Sequence, residues 1–149
     1  MKTLLPLVLL ISTFSMRVYS QSAADTSFAT TKQAIETQVN SIEGNKMATV
    51  NLFNGSLQWG EFNCNCYHLL DGKVILKLEF LFPNNPAAGK KIFYYSNDVA
   101  IKIIDNGTEY YFHNSPYLYD KDGKAAKDNA AKDLLMFSKE ARKMIYSIL

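Results

Sequence analysis

The segment Ala100-Ile-Lys-Ile-Ile-Asp-Asn-Gly-Thr-Glu-Tyr-Tyr-Phe112 predicts a β-hairpin. At its centre, Asn106-Gly107 is a dipeptide in which both residues tolerate the positive φ angles of a two-residue hairpin turn. Such a turn places Ile103 opposite Tyr110, because directly opposed residues of antiparallel strands point to the same side of the sheet. One side of the hairpin is then strongly apolar, and the other mixes polar and aromatic residues. This pattern is typical of a half-buried antiparallel sheet.

Apolar and polar residues also alternate upstream of this hairpin. In Lys73–Phe82, every second position from Val74 onward is apolar, which predicts another half-buried strand. Asn54-Gly55 and Asp71-Gly72 are two further hairpin-turn dipeptides. We therefore expect strands at about residues 46–53, 56–70, 73–82, 91–97, 99–105 and 108–114.

The turn at Asp71-Gly72 can be built in two ways. A two-residue turn would direct Asn63 and Asn65 into the core, at a cost on the order of 1–3 kcal/mol for each amide left without a partner. A three-residue turn, Leu70–Gly72, groups apolar residues instead, and we favour it. The residues that then share a face are Phe62, Cys64, Cys66, His68, Val74, Leu76, Leu78 and Phe80. In this register we expect a bulge at Gly60, where the strand changes parity.

Two amphipathic helices flank the predicted strands. Apolar residues recur at helical spacing between Ala23 and Gly44, and again from about Lys127 to Ile148. Each helix has one apolar stripe and the sheet has one strongly apolar face, so the economical arrangement places both helices on that face. We therefore predict an α+β fold. It has a single antiparallel sheet of about five to six strands, with an N-terminal and a C-terminal helix packed on one face and the other face open to solvent.

Residues 1–20 have the features of a cleavable secretory signal peptide. Lys2 precedes an apolar run that is too short to span a bilayer, and small residues lead to Ser20 and the predicted cleavage point. We expect residues 21–149 to form a single exported domain, periplasmic or extracellular, without a transmembrane segment. Loss of Lys2 and Arg17 would leave 14 basic and 14 acidic residues, from 16 and 14 in the whole chain. This balance gives no reason to expect nucleic-acid binding.

Aromatic and polar side chains gather on the face that this fold leaves open. The predicted register assigns Tyr95 and Tyr111 to the open face, whereas Tyr94 and Tyr110 fit the core. Exposed aromatic rings beside amides and charges suit contact with a protein or an envelope polymer. Ordinary strand composition would supply similar residues. The candidate binding residues are Phe93, Tyr95, Lys102, Glu109, Tyr111, His113, Asn63, Asn65 and Tyr67.

Cys64 and Cys66 are the two cysteines of the chain. In an exported protein such a pair suggests a disulfide. However, residues two apart on a straight strand are about 6.6 Å apart with parallel Cβ directions, which is awkward for bridging. Reduced buried thiols, a strained or intermolecular disulfide, and a redox or metal role are the alternatives. His68 continues the same face, but three ligands along one strand diverge, so we expect no metal.

Part of the chain resembles a known kind of protein. Lys91-Ile-Phe-Tyr-Tyr95, the Ala100–Phe112 hairpin and the charged C-terminal helix resemble small exported bacterial proteins of unknown function that have paired Y-Y-F strands and N-G hairpins. The resemblance implies a location in the bacterial envelope or outside the cell, and it brings no known active site. The helix-and-sheet layout is also similar to inhibitor and PepSY-like periplasmic modules, which is a similarity of fold alone.

No nucleophile, metal or cofactor motif is present in the sequence, and we expect no cofactor. The favoured function is therefore a non-catalytic binding module that uses the open face of its sheet. One alternative is a small-ligand or lipid carrier with a pocket between the helices and the sheet. Another is a small hydrolase or thiol-redox protein that uses His113 or the cysteines Cys64 and Cys66.

Overall fold

The computed structural model describes residues 28–70, 73–112, 118–123 and 129–149, so the turn at Asp71-Gly72 and the side chain of His113 lie outside the described residues. Helix α1 runs through residues 28–43, and helix α2 is Asn129–Tyr146. The described strands are β1 Thr49–Leu57, β2 Gly60–Leu69, β3 Val74–Leu81, β4 Lys90–Ser96, β5 Val99–Asp105, β6 Thr108–Phe112 and β7 Leu118–Asp120. They form one antiparallel sheet in sequential order. The predicted α+β class is confirmed.

The β5–β6 hairpin has the predicted register. Asn106 and Gly107 have φ angles of 48° and 84°, and Ile103 pairs with Tyr110. The Asn106 side chain also accepts a hydrogen bond from the backbone N–H of Lys90 at 3.0 Å. A two-residue turn with positive φ at both positions matches the twist of its flanking strands. Local turn chemistry is therefore sufficient to set this hairpin.

The predicted turn at Asn54-Gly55 is wrong, because β1 continues through both residues. Gly55 lies opposite Phe62, and a Cβ atom at Gly55 would lie 2.9 Å from carbons of the Phe62 ring. The glycine therefore makes room for this ring inside the sheet. The chain turns instead at Gln58-Trp59. Gly60, with a φ of 112°, begins β2 directly after this turn rather than forming a bulge.

The two cysteines of β2 face the apolar side of β3, as the three-residue turn predicts. Cys64, for example, pairs with Phe80. Nearer the β2–β3 turn, a bulge leaves Leu76 outside the paired register. Ile75 then takes the core position that was predicted for Leu76, and it is 2% exposed whereas Val74 is 38% exposed. The prediction that Val74 and Leu76 share the core face is wrong for this reason.

The two helices pack on opposite faces of the sheet. Phe137 of α2 belongs to a core cluster that includes Phe93. Ile35 and Val39 of α1 form a second cluster with Tyr94. Phe93 and Tyr94 are neighbours on β4, and neighbours on a strand point to opposite faces. The prediction that both helices lie on one face is therefore wrong, and we call the two sides the α1 face and the α2 face.

The composition of β4 explains why each face has a helix. Phe93 points to the α2 face, and Ile92 and Tyr94 point to the α1 face. A strand that is apolar on both sides requires cover on both sides. Two helices on a single face would leave one of these sets in water. The unfavourable free energy of exposing apolar side chains thus explains why the two helices pack on opposite faces.

The α1 face is only partly covered. The described polar contacts from the sheet to the glutamates of α1 come from β3 to β6. They are made by Lys77, Tyr94, Lys102 and Tyr111. Strands β1 and β2 lie beyond them, and on the α1 face of β1 Val50 is 50% exposed and Leu52 64%. We call this uncovered region the open strip. Its residues are Val50, Leu52, Asn54, Asn63, Asn65, Tyr67 and Leu81.

Candidate functional site

The predicted aromatic contact surface does not exist as an exposed patch. Tyr95 is 3% exposed, Tyr111 1% and Phe93 0%. Tyr95 lies on the α2 face, where its hydroxyl donates a hydrogen bond to the Ser138 carbonyl at 3.0 Å. Tyr111 lies on the other face, against α1. The prediction that these residues share an open binding face is wrong, because helices cover both faces at this part of the sheet.

Strand β5 has a bulge opposite the step from Tyr94 to Tyr95 of β4. Tyr94 pairs with Lys102 and Tyr95 pairs with Ala100, so Ile101 is the extra residue on β5. Tyr94 consequently packs against α1, although the sequence placed it on the same face as Tyr110. The predicted register between β5 and β6, in contrast, is confirmed. The bulge lies within the paired strands of the β4–β5 hairpin rather than at its turn, so the composition of the turn does not predict it.

Lys102, another candidate binding residue, is buried beneath α1. Its Nζ lies 2.8 Å from a carboxylate oxygen of Glu36 on α1 and 2.9 Å from one of Glu109. The Tyr111 hydroxyl is within hydrogen-bond distance of both carboxylates. Burial opposes the charged form of Lys102, but the hydrogen bonds to Glu36 and Glu109 outweigh it and raise the pKa of Lys102. The hydrogen bond from Lys102 lowers the pKa of Glu109.

A second buried lysine anchors the other end of α1. Lys77 Nζ lies 3.0 Å from both carboxylate oxygens of Glu43 and 3.3 Å from Glu79. The Tyr94 hydroxyl donates to Glu43 at 2.7 Å. Burial acts against the ionised form of Glu43, but the hydrogen bonds from Tyr94 and Lys77 lower its pKa overall. These groups satisfy one another, which makes the cluster an attachment of α1 rather than a free binding surface.

The two anchoring glutamates were missed by the sequence reasoning. Glu36 and Glu43 are seven residues apart, which is about two helical turns, so both project from the same side of α1. They flank the apolar stripe that contains Val39. Charged residues at this spacing beside a core stripe are the signal that could have indicated buried partners on the sheet.

The cysteines and His68 form no recognisable catalytic or metal centre. Cys64 and Cys66 are both free and fully buried. Burial raises the pKa of the Cys66 thiol to about 12 and that of Cys64 further still. His68 is 4% exposed, and neither ring nitrogen has a hydrogen-bond partner within the described ranges. Nowhere in these ranges do three His, Cys, Asp or Glu side chains gather in a way that could hold a metal ion.

Four of the candidate residues retain some exposure: Glu109, half-buried in its pair with Lys102, and three residues of the open strip. Asn63 is exposed, and Asn65 and Tyr67 are half-buried, all on the open strip. Lys77 Nζ lies 3.9 Å from the centre of the Tyr67 ring, and the Tyr67 hydroxyl donates to Glu79 at 3.3 Å. These contacts hold the ring in place at the boundary between the α1-covered and the uncovered sheet.

The open strip ends at the edge strand β1. This strand, TVNLFNGSL, has nine residues and no charged residue or proline. It pairs with β2 along its whole length, and no strand of the described ranges pairs with its other edge. The outer edge therefore presents backbone N–H and C=O groups that another strand can bind. The sequence predicted part of this strand but could not identify it as an edge.

A cavity lies between α1 and the end of the β4–β5 hairpin. Its volume is about 490 Å³. Its lining is neutral and includes Thr31, Ala34, Gln38, Asn97, Ile101 and Phe112. The lining therefore combines hydroxyl and amide groups with apolar side chains, which suits a small uncharged molecule.

Comparison of the chain with models of known protein families found no match, and comparisons with curated proteins and with solved structures found none either. The fold and the site together define an α+β protein with one described helix on each face of its sheet and an outer edge of β1 that no described strand pairs with. Neither helix, over its described residues, has the length and apolar character needed to cross a membrane. The resemblance to small exported bacterial proteins stays a prediction.

Proposed function

We propose that this chain is an exported, non-catalytic binding module that contacts a protein partner through the open strip and the outer edge of β1. The observation that carries the proposal is the uncharged nine-residue edge strand β1, which places the exposed residues Val50 and Leu52 beside its free edge. Export is supported by the signal-peptide features of residues 1–20.

Among the described residues, the edge of β1 has none of the usual sequence features that protect against pairing with other chains. Natural edge strands are commonly short, bulged, or interrupted by lysine or proline. β1 has no such residue, and its pairing with β2 runs without a register shift from Thr49 to Leu57. Only another polypeptide backbone can continue the hydrogen-bond ladder of a sheet. This argument favours a protein partner over an envelope polymer.

Apolar and polar groups of the open strip would add to such a contact. Burying a Val or Leu side chain fully contributes about 1.5–3 kcal/mol. Because Val50 and Leu52 are half to two-thirds exposed, covering both would contribute roughly 2–3 kcal/mol. Asn63, Asn65 and Tyr67 lie next to them on β2 and supply the polar rim that protein interfaces usually have.

Substitution of an edge residue tests the proposal. Leu52→Lys places a charge beside the edge, and Met136→Lys on α2 is a matched control because Leu52 and Met136 are 64% and 65% exposed. We expect wild-type protein and M136K to capture the same partner from an envelope extract and L52K to lose it. In the isolated complex, hydrogen–deuterium exchange should show protection of the β1 amides. Equal capture by all three proteins, or protection elsewhere alone, would contradict the proposal.

The cavity beside α1 supports a second candidate function, a carrier of a small neutral ligand. Its volume of about 490 Å³ is within the range of small-molecule sites. Native mass spectrometry of the purified protein tests this candidate, with Ala34→Trp as the variant that fills the cavity. We expect a bound small molecule in the wild-type protein and its loss in A34W. A wild-type protein that carries no added mass would contradict the carrier function.

A further inference from the structure

We infer that the strand which pairs with β1 is β1 of a second copy of this chain, so that two copies share one continuous sheet. This inference names the partner at the surface proposed above, and it rests on that proposal. The pairing would be antiparallel, with a two-fold axis perpendicular to the sheet. Such an axis leaves the α1 face on the same side in both copies, so the two open strips meet.

The charge distribution favours this partner. Near a two-fold axis a strand meets its own sequence, and like charges directly opposite each other are destabilising. β1 contains no Asp, Glu, Lys or Arg. The nearest charges along the chain are Lys46 before the strand and Glu61 after it. Because the copies run antiparallel, Lys46 of one copy lies at the same end of the interface as Glu61 of the second copy, which stands one strand further in, opposite Ser56, so the charges at each end have opposite signs.

The apolar residues of β1 are also self-complementary. In a register centred on Asn51, Val50 of each copy lies opposite Leu52 of the other. Directly opposed residues point to the same side, so these four side chains form one apolar cluster on the α1 face. On the α2 face, Phe53 lies opposite Thr49 of the second copy. Aromatic and β-branched residues are favourable cross-strand pairs.

The expected dimer is weak. A contact that is one strand wide is smaller than the roughly 1,200–2,000 Å² of stable interfaces. We therefore expect a dissociation constant in the micromolar range. A strand from a different protein is the other possible occupant, and it would leave the purified chain monomeric.

Sedimentation velocity over the micromolar concentration range tests the inference on the purified chain. We expect wild-type protein and M136K to shift from monomer to dimer with concentration and L52K to stay monomeric, with circular dichroism verifying that each variant is folded. A wild-type chain that stays monomeric, or a dimer that L52K leaves intact, would overturn self-pairing. The proposal of an edge-binding module is tested separately, because capture of another protein that L52K abolishes supports it even for a monomeric chain.

Cross-linking provides a second measurement that does not depend on L52K folding. In the register centred on Asn51, a cysteine in Asn51→Cys lies opposite its own counterpart, whereas in Ser56→Cys the two copies are separated by roughly 30 Å along the strands. The native cysteines are buried and do not compete. We expect mild oxidation to give a covalent dimer of N51C and none of S56C. Equal cross-linking of the two variants, or none in either, would overturn the register and the pairing.

Discussion

The attachment of α1 to the sheet gives the sharpest prediction for stability. Glu36 accepts hydrogen bonds from Lys102 and Tyr111, and the Lys102 side chain is only 6% exposed. Glu36→Gln keeps the size of the side chain and removes its charge. Lys102 then keeps Glu109 as its single carboxylate partner, at 2.9 Å. The variant therefore isolates the contribution of one charge to the docking of α1.

The size of the expected destabilisation depends on the two hydrogen bonds that Glu36 accepts and on how exposed Glu36 is. A hydrogen bond to a charged group contributes about 1.5–3 kcal/mol, and a neutral one about 1 kcal/mol. In Glu36→Gln the hydrogen bond from Tyr111 becomes a neutral one, and Lys102, which stays charged, loses the attraction of one carboxylate. The Glu36 side chain is 33% exposed, so solvent screening reduces both losses. We expect Glu36→Gln to lower the free energy of unfolding by roughly 1–2 kcal/mol.

Urea denaturation at neutral pH measures this change. Glu140→Gln is the control, because Glu140 and Lys143 are paired at the surface with side-chain exposures of 68% and 72%, and such pairs contribute about 0.5 kcal/mol or less. A Lys102→Met background should remove most of the effect of Glu36→Gln, since no cation is left to lose its partner. Equal losses for the two glutamate variants, or an unchanged loss in the K102M background, would refute the anchoring of α1 by this pair.

Three further predictions concern packing, thiols and pH. Gly55→Ala should lower the free energy of unfolding by about 1–3 kcal/mol, because the added Cβ would lie 2.9 Å from the ring of Phe62; a urea midpoint at or above wild type would contradict this. Cys64 and Cys66, buried and with raised pKa, should react with a thiol reagent only after denaturation, and rapid labelling of native protein would show accessible thiols. The folded state lowers the pKa of Glu109 from 4.5, so its stabilisation is present above that pH and is lost as pH falls through the lower folded pKa; Glu109→Gln should flatten this part of an acid unfolding curve.

Much of the candidate site could not be predicted because it depends on which strand is the edge. The alternation of Val50 and Leu52 is visible in the sequence, but an edge strand and a central strand can have the same alternation. Asn63, Asn65 and Tyr67 lie off the α2 face, because the register between β2 and β3 excludes them from it, and their role in binding stays a prediction. Tyr95 was misplaced because the extra residue in β5 puts its partner Ala100 on the face opposite to Lys102.

Local sequence patterns were enough to predict the α+β class, the hairpin at Asn106-Gly107 and the placement of Cys64 on the face of Phe80. These features depend on residues that are close along the chain, where turn chemistry and alternation act directly. Three features came from long-range packing instead: the face that each helix covers, the shift in register between β4 and β5, and the position of β1 at the edge of the described sheet. Because β4 is apolar on both sides, either face could bind a helix. The face on which each helix packs depends on the total apolar surface that distant segments bury together, and no short stretch of sequence specifies this total.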